Sequence, residues 1–448
     1  MQAKPNSADQ LRALDKAHLW HPFTQMQEWC APGNEPLIIA SGEGAWLCDS
    51  EGKKYIDGNS SIWTNIHGHC HPAIDAAVRD QLDKISHSSA LGFTNEPAIL
   101  LAEELTRQFP PGTLTRVFYG DDGSTAIECA CKMAIQYRQL DSQPERCAFL
   151  AFDQAYHGDT SGAASLGGID ALHRRFSSFG FDTRHVRNLD DLKQLPEDIL
   201  ARLTAVIIEP LIQGAAGMKL WPVGMLHEVR QWCDEHDIFL ILDEVMTGFG
   251  RTGTMFACEQ EEVVPDFMAL AKGLSGGYMP LAATLTTECV FEKFLGTYAD
   301  RKTFFYGHSY NANPLACAAA LANLKIFQTE RTLEKLQGKI ALLRNLLDEQ
   351  LAASPFVGEI RQCGFIAGID IVQDKQTLEP RLPEKQTGAK ICLAAREHGL
   401  LTRSINDTLV LMPPLCIADS ELETAIQALA KATALLTPDP PCIFTPLS

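Results

Sequence analysis

The run Ile238–Val245, IFLILDEV, decides the fold: five apolar side chains stand in succession and end on an acidic pair. A strand that buries one face alternates apolar and polar residues, whereas a strand apolar at every position is covered on both faces. Five other runs share this character: RVFYGD at 116–121, CAFLAFD at 147–153, TAVIIEP at 204–210, FMALAK at 267–272 and LAATLTT at 281–287. Helical stretches separate them between Arg116 and Thr287. The alternation predicts βαβ units, and therefore an α/β fold whose large domain is a mainly parallel central sheet with helices on both sides. Ligands of such sheets sit beyond the carboxyl ends of the strands. The residues that follow each run are the ones to inspect.

Beyond Leu333 the pattern changes. Leu333, Leu336, Ile340, Leu343 and Leu347 recur at helical spacing before the β-rich stretch EIRQCGFIAGIDIV, which predicts a smaller α+β domain over 331–448. Its last helix, LETAIQALAKATALL, is expected to start from a capping box of Ser420 and Glu423. In the first 70 residues AWLCDSEGKKYID predicts a strand pair around a turn. Residues 1–70 are expected to join the small domain, leaving 71–330 as the large one.

Length and composition agree with this plan, since 448 residues exceed what one core usually organises and 46% hydrophobic against 21% charged residues is ordinary for a globular chain. A net charge of −18 repels nucleic-acid backbones and anionic membranes, so small molecules are the expected partners. No run reaches ~18 apolar residues and no secretory or transit pattern opens the chain, so a cytoplasmic location is expected. The fourteen cysteines are scattered among apolar segments and read as reduced core thiols.

Four places carry candidate chemistry. Asp243 ends a strand that should exclude a carboxylate; it either caps the next turn or pairs with the protonated ring nitrogen of a pyridine cofactor. Lys272 follows FMALA and precedes the glycine-rich GLSGGYMP. It is either a snorkelling surface lysine or a desolvated amine able to form a Schiff base. Gly123, Ser124 and Thr125 occupy a strand-to-helix turn, with Ile127, Ala130, Cys131 and Ala134 on the buried helix face. That turn suits a phosphate, and an ordinary Ser/Thr cap would look the same. Tyr156, after CAFLAFD, either stacks on a planar ligand or packs. The run IHGHCH offers His67, His69, Cys70 and His71, yet near-adjacent residues rarely converge on one metal, and no metal site is expected. No G-x-G-x-x-G follows a strand, which argues against a dinucleotide fold.

Taken together, IIEPLIQGAAG, LILDEVMTGFGRTGTMFACE, PDFMALAKGLSGGYMPLAA and NPLACAAALANL resemble the class III aminotransferases, a branch of the fold-type I enzymes that use pyridoxal 5′-phosphate (PLP). Within that family HLWHPFTQM, SSIWTNIHGH, YHGDTSGAASLGG and LLTRSINDTLVLMPP are similar to the biotin-pathway branch, which converts 8-amino-7-oxononanoate to 7,8-diaminononanoate by ping-pong transamination. The resemblance implies that Lys272 is the Schiff-base lysine and proton shuttle, Asp243 the ring-nitrogen partner and Tyr156 the aromatic over the ring. It further implies that Gly123 and Ser124 bind the phosphate, that Gln213 approaches the phenolic oxygen, and that His308 and Ser309 reach the cofactor of the other subunit of a homodimer. Substrate contacts would fall to Phe23, Ile62, Trp63, Tyr156, Gly307 and Arg403, the arginine pairing with the substrate carboxylate. The branch that takes its amine from S-adenosylmethionine has Tyr at Phe23, Trp at Ile62 and Gly-Pro-Thr at 307–309. The residues found here resemble the lysine-using variant, so both donors are carried forward, with another class III ω-amino-acid transaminase as the alternative.

Overall fold

The computed structural model describes residues 7–437; the ends of the expected first and last segments, residues 1–6 and 438–448, lie outside it. Its largest sheet has seven strands in the order Leu114–Gly120, Ala282–Thr287, Phe267–Leu270, Phe239–Asp243, Leu203–Ile208, Ala148–Phe152 and Thr183–Val186. Ala282–Thr287 runs antiparallel to both neighbours, and the other pairings are parallel. The mainly parallel sheet read from the sequence is therefore present.

Successive residues of the central strands face opposite layers, which is why the runs are apolar throughout. Ala205, Ile207 and Ile241 pack with Ala126, Ile127, Ala130 and Ala134 of the helix Gly123–Leu140. Val206, Ile208, Leu240 and Leu242 pack on the other side with Met225, Leu226 and Val229 of the helix Met225–Glu235. Each such side chain taken from water is worth roughly 1.5–3 kcal/mol, so two covered faces hold the strands in one register. The carboxyl ends of the parallel strands are thereby fixed along one rim.

The edge strand Thr183–Val186, TRHV, has no counterpart in the sequence reading, because its residues are mostly polar and only Val186 is buried. An edge strand has one neighbour and one open side, so it carries a weak apolar signal. Trp46–Asp49 and Lys54–Asp57 form the expected antiparallel pair, and Leu400–Leu401 adds to Lys54–Asp57 in parallel. A further sheet is built from Val357–Cys363, Ile366–Asp374, Thr408–Leu411 and Arg403–Ile405, with Glu379–Pro380 at its side.

The expected leucine periodicity lies in the helix Thr332–Gln350. The last helix, Asp419–Thr433, begins earlier than expected. Ala418 is its N-cap, and the Ala418 N–H donates to the Glu421 carboxylate at 2.7 Å. Buried Ile417, tied back to Pro414 O, delivers the chain to the helix before Ser420 is reached, so the Ser420 and Glu423 box does not form. Six of the described cysteines are buried, while Cys30, Cys70, Cys289 and Cys416 are exposed; the core reading holds for only part of them. No helix among the described residues is long and apolar enough to cross a membrane.

Candidate active site

Three acidic or basic side chains emerge where the central strands end. Asp243 closes Phe239–Asp243 and is 5% exposed. Its Oδ2 accepts from His157 Nδ1 at 2.8 Å and its Oδ1 from Val245 N at 3.1 Å, so the carboxylate is clamped in one orientation. Glu209 follows Leu203–Ile208; it accepts from Gly214 N at 2.9 Å and Tyr156 N at 3.2 Å. Burial, with the nearby Asp243 charge and against His157, pushes the Glu209 carboxyl up to about 7. Lys272 follows Phe267–Leu270 and opens the 3-10 turn Lys272–Ser275 at φ 45°. Its Nζ lies 4.9 Å from the centre of the Trp63 ring. Burial lowers the amine's pKa, with the charges of Asp243 and Glu209 opposing that shift.

The phosphate candidate is the start of the helix Gly123–Leu140. Asp122, not a serine or threonine, is its N-cap: Asp122 Oδ1 accepts from Thr125 N at 2.9 Å, and Thr125 Oγ1 accepts from Asp122 N at 3.1 Å. Gly123 N and Ser124 N, in the first turn, have no intrahelical acceptor, and the positive end of the helix dipole lies there. A Cβ at Gly123 would stand 2.7 Å from Val245 Cγ1, and one at Gly158 would stand 2.1 Å from Ser124 Oγ. The loop at 158 therefore closes directly on Ser124, and Asp159 N donates to Ser124 Oγ at 3.2 Å. Tyr156 bridges this loop to the strand ends, its hydroxyl donating to Asp159 Oδ2 at 2.5 Å while its ring stacks on His173 at 5.7 Å.

Trp63 is buried in SSIW, where Ser60, Ser61 and Trp63 all have positive φ. Such residues cost about 1–3 kcal/mol each and persist only when their surroundings hold them. Here Ser60 Oγ donates to Met412 O, and Trp63 Nε1 donates to Asn59 Oδ1. Buried Arg251 adds bonds to Asn65 O and Pro413 O. Ile62 and Phe23 are 41% and 67% exposed. His308 Nδ1 lies 2.9 Å from Asp121 Oδ2, the main-chain carbonyl of exposed Ser309 accepts from His87 Nε2 at 2.9 Å, and Gly307 is exposed beside them. Arg403 is exposed at the start of the edge strand Arg403–Ile405 and makes no ion pair among the described residues. Gln213 is buried; its Nε2 donates to Asp153 O at 3.0 Å, which leaves Oε1 without a protein partner.

The histidines of IHGHCH turn to separate partners: His67 to Asn323 O, His69 to Asp57, and His71 to Glu330. Two residues that the sequence reading passed over belong to the site, His157 and Glu209. Glu209 was findable by the rule that drew attention to Asp243, an acid ending an apolar strand. His157 had only its place five residues beyond the end of the strand Ala148–Phe152.

This donor set fits PLP. Asp243 is an oriented anion for a ring nitrogen, Lys272 an amine of lowered pKa, and the Gly123 and Ser124 turn a set of N–H donors for a phosphate. Gln213 Oε1 is an acceptor suited to a hydroxyl. The comparisons agree. The family model "Aminotransferase class-III" matches residues 30–433. A relative from Geobacter sulfurreducens, an adenosylmethionine-8-amino-7-oxononanoate aminotransferase, is 46% identical over 95% of this chain and 98% of its own. The crystal structure of the enzyme of that name from Methanocaldococcus jannaschii has a TM-score of 0.92 at 41% identity, covering 95% of this chain and 99% of that one. An amine transaminase from an uncultivated Pseudomonas species, solved in a PLP-bound form, has a TM-score of 0.86 at 32% identity, over 93% of this chain and 98% of that one. The chain belongs to the class III aminotransferases, enzymes that depend on PLP.

Proposed function

We propose that this aminotransferase makes 7,8-diaminononanoate from 8-amino-7-oxononanoate, working in the cytoplasm as a homodimer divided near residues 70 and 330. The observation that carries the chemistry is the meeting of Lys272, Asp243 and the Gly123 turn at one sheet rim. The substrate follows from the names of relatives aligned over nearly the whole chain.

PLP, when bound, supplies a cationic ring that takes up the electron pair released as a carbon–hydrogen bond of the substrate breaks. Lys272 would hold the cofactor's aldehyde carbon and would move the proton, since an amine whose pKa burial lowers is available as a free base. Asp243, oriented by His157, keeps the ring nitrogen protonated. Gly123 and Ser124 hold the phosphate, joined by His308 and Ser309 of the second subunit. Tyr156 would lie against the ring, and Gln213, whose Oε1 has no protein partner, would accept from its hydroxyl. Arg403 pairs with the substrate carboxylate, and Phe23, Ile62, Trp63 and Gly307 shape the pocket.

The donor is S-adenosylmethionine or lysine. A second reading, a broader ω-amino-acid transaminase, is favoured by the likeness to an amine transaminase, whereas Phe23, Ile62 and His308 bear on the donor, where they resemble the lysine-using variant. Offering each donor separately to PLP-loaded enzyme and following the visible absorbance identifies the one accepted. Restoration of the starting spectrum by 8-amino-7-oxononanoate is the expected result. Restoration by pyruvate or 2-oxoglutarate alone would favour the second reading.

A further inference from the structure

The turn that presents Lys272 is held from a helix about fifty residues away. Asn323 is fully buried on the helix Pro314–Thr329. Its Nδ2 donates to Gly273 O at 2.9 Å and to Leu274 O at 3.0 Å, so both hydrogens of one amide go to the two carbonyls that follow Lys272. The turn has little to hold it by itself. Lys272 has φ 45°, a region that side chains other than glycine seldom adopt, and Gly276 and Gly277 continue at 65° and 85°. A 3-10 turn this short makes few bonds of its own, here Leu274 N to Ala271 O and Gly276 N to Gly273 O.

Two further contacts meet Asn323, one at its side-chain amide and one at its main-chain carbonyl. A Cβ at Gly276 would stand 2.8 Å from Asn323 Oδ1, so the turn and the amide already touch there. Behind it, His67 Nε2 reaches Asn323 O at 3.2 Å while the His67 ring packs edge-on against Phe327 at 4.7 Å. Burial keeps His67 neutral, with its pKa down to about 3. A neutral ring carrying its proton on Nε2 is the form that a carbonyl acceptor requires. Of the histidine run at 67–71, His67 thus bears on the helix that holds the lysine turn.

We propose that Asn323 is a positioning residue for the reaction: its amide locks the turn after Lys272 so that the amine projects toward Asp243, and His67 seats Asn323. This rests on reading Lys272 as the lysine that bears the cofactor. The chain Ile66–His67, Asn323, Gly273 and Leu274 links three separate segments to the one reactive amine. An amide is suited to the task because it gives two donors from one atom without adding a charge to the site.

The test is Asn323→Leu, which keeps the branched shape with bulkier methyl groups and removes both donors. Hydrogen exchange of the apo-protein should quicken about ten-fold or more at the Leu274 and Gly276 amides, while Ile241 and Leu242 keep wild-type protection. In PLP-loaded enzyme the single-turnover rate with the accepted donor should fall about ten-fold or more, with the donor's apparent Kd moving less than about two-fold. Wild-type exchange at 274 and 276 in a folded variant overturns the proposal, as does an unchanged turnover rate. Should Asn323→Leu fail to fold, His67→Phe decides: faster exchange at both amides supports the proposal and unchanged exchange overturns it. If Lys272 is not the cofactor lysine, wild-type enzyme will fail to trap PLP there on borohydride reduction. That result leaves the apo-protein exchange data unaffected, so the two failures are distinct.

Discussion

Gly158→Ala is a demanding test of the phosphate turn, because the crowding can be read directly. Gly158 has φ 120°, and its added Cβ would lie 2.1 Å from Ser124 Oγ, 2.6 Å from Ser124 Cβ and 2.9 Å from Ser124 Cα. Contacts this short cannot be relieved by rotating one side chain, since the third is backbone. Overpacking costs roughly 1–3 kcal/mol, and holding a side chain at positive φ adds about 1–2 kcal/mol. The folded apo-protein should therefore lose roughly 2–5 kcal/mol of stability. If Ser124 moves away instead, the Asp159 N to Ser124 Oγ bond breaks and the first helical turn shifts. Losing one charge-assisted bond to a phosphate is worth about 1.5–3 kcal/mol, which predicts PLP binding weaker by about 10- to 150-fold. Denaturant unfolding of the apo-protein and fluorescence titration with PLP measure the two effects. Wild-type stability together with wild-type PLP affinity would refute the reading of this turn.

Other expectations follow from the same rim. Asp243→Asn removes the largest influence raising the Lys272 pKa, so the pH profile for chemical modification of that amine in the apo-protein should move to lower pH; no movement, or a rise, would contradict the arrangement. Glu244 is fully buried, accepting from Thr247 Oγ1 at 2.5 Å and Cys258 N at 2.9 Å, and burial raises its pKa from 4.5 to about 7. Because the folded form binds the proton more tightly, its contribution is complete below pH 4.5 and is lost as pH rises to about 7. Glu244→Gln should therefore flatten that decline, gaining on the order of 3 kcal/mol relative to the wild type above pH 7, as read from urea unfolding across pH. An unchanged pH dependence would count against it.

Much of this was legible in the sequence for a physical reason. A strand covered on both faces must be apolar throughout, so Ile238–Leu242 and Leu203–Ile208 declare themselves, and a charge at the end of such a run is conspicuous, as with Asp243 and Lys272. The same rule applied to Glu209 would have found a second acid. What stayed hidden depends on contacts between distant segments. The strand Thr183–Val186 pairs on one side only, so its polar residues look like loop. The left-handed residues of SSIW carry no glycine to betray them, and they are held by Met412 and Asn59. The cap at Asp122 rather than Ser124 was a matter of two positions within one polar cluster. Asn323 lies in a mostly apolar helix, and its partners are known only once the helix docks on the turn.

The central claim is that Lys272 is the amine that binds PLP. Incubating the purified protein with PLP, reducing with borohydride and mapping the labelled peptide tests it most directly. The label is expected on the peptide bearing Lys272 and is absent in Lys272→Ala, although that variant still binds PLP without a covalent bond. A label on any other lysine, or full activity in Lys272→Ala, would contradict it.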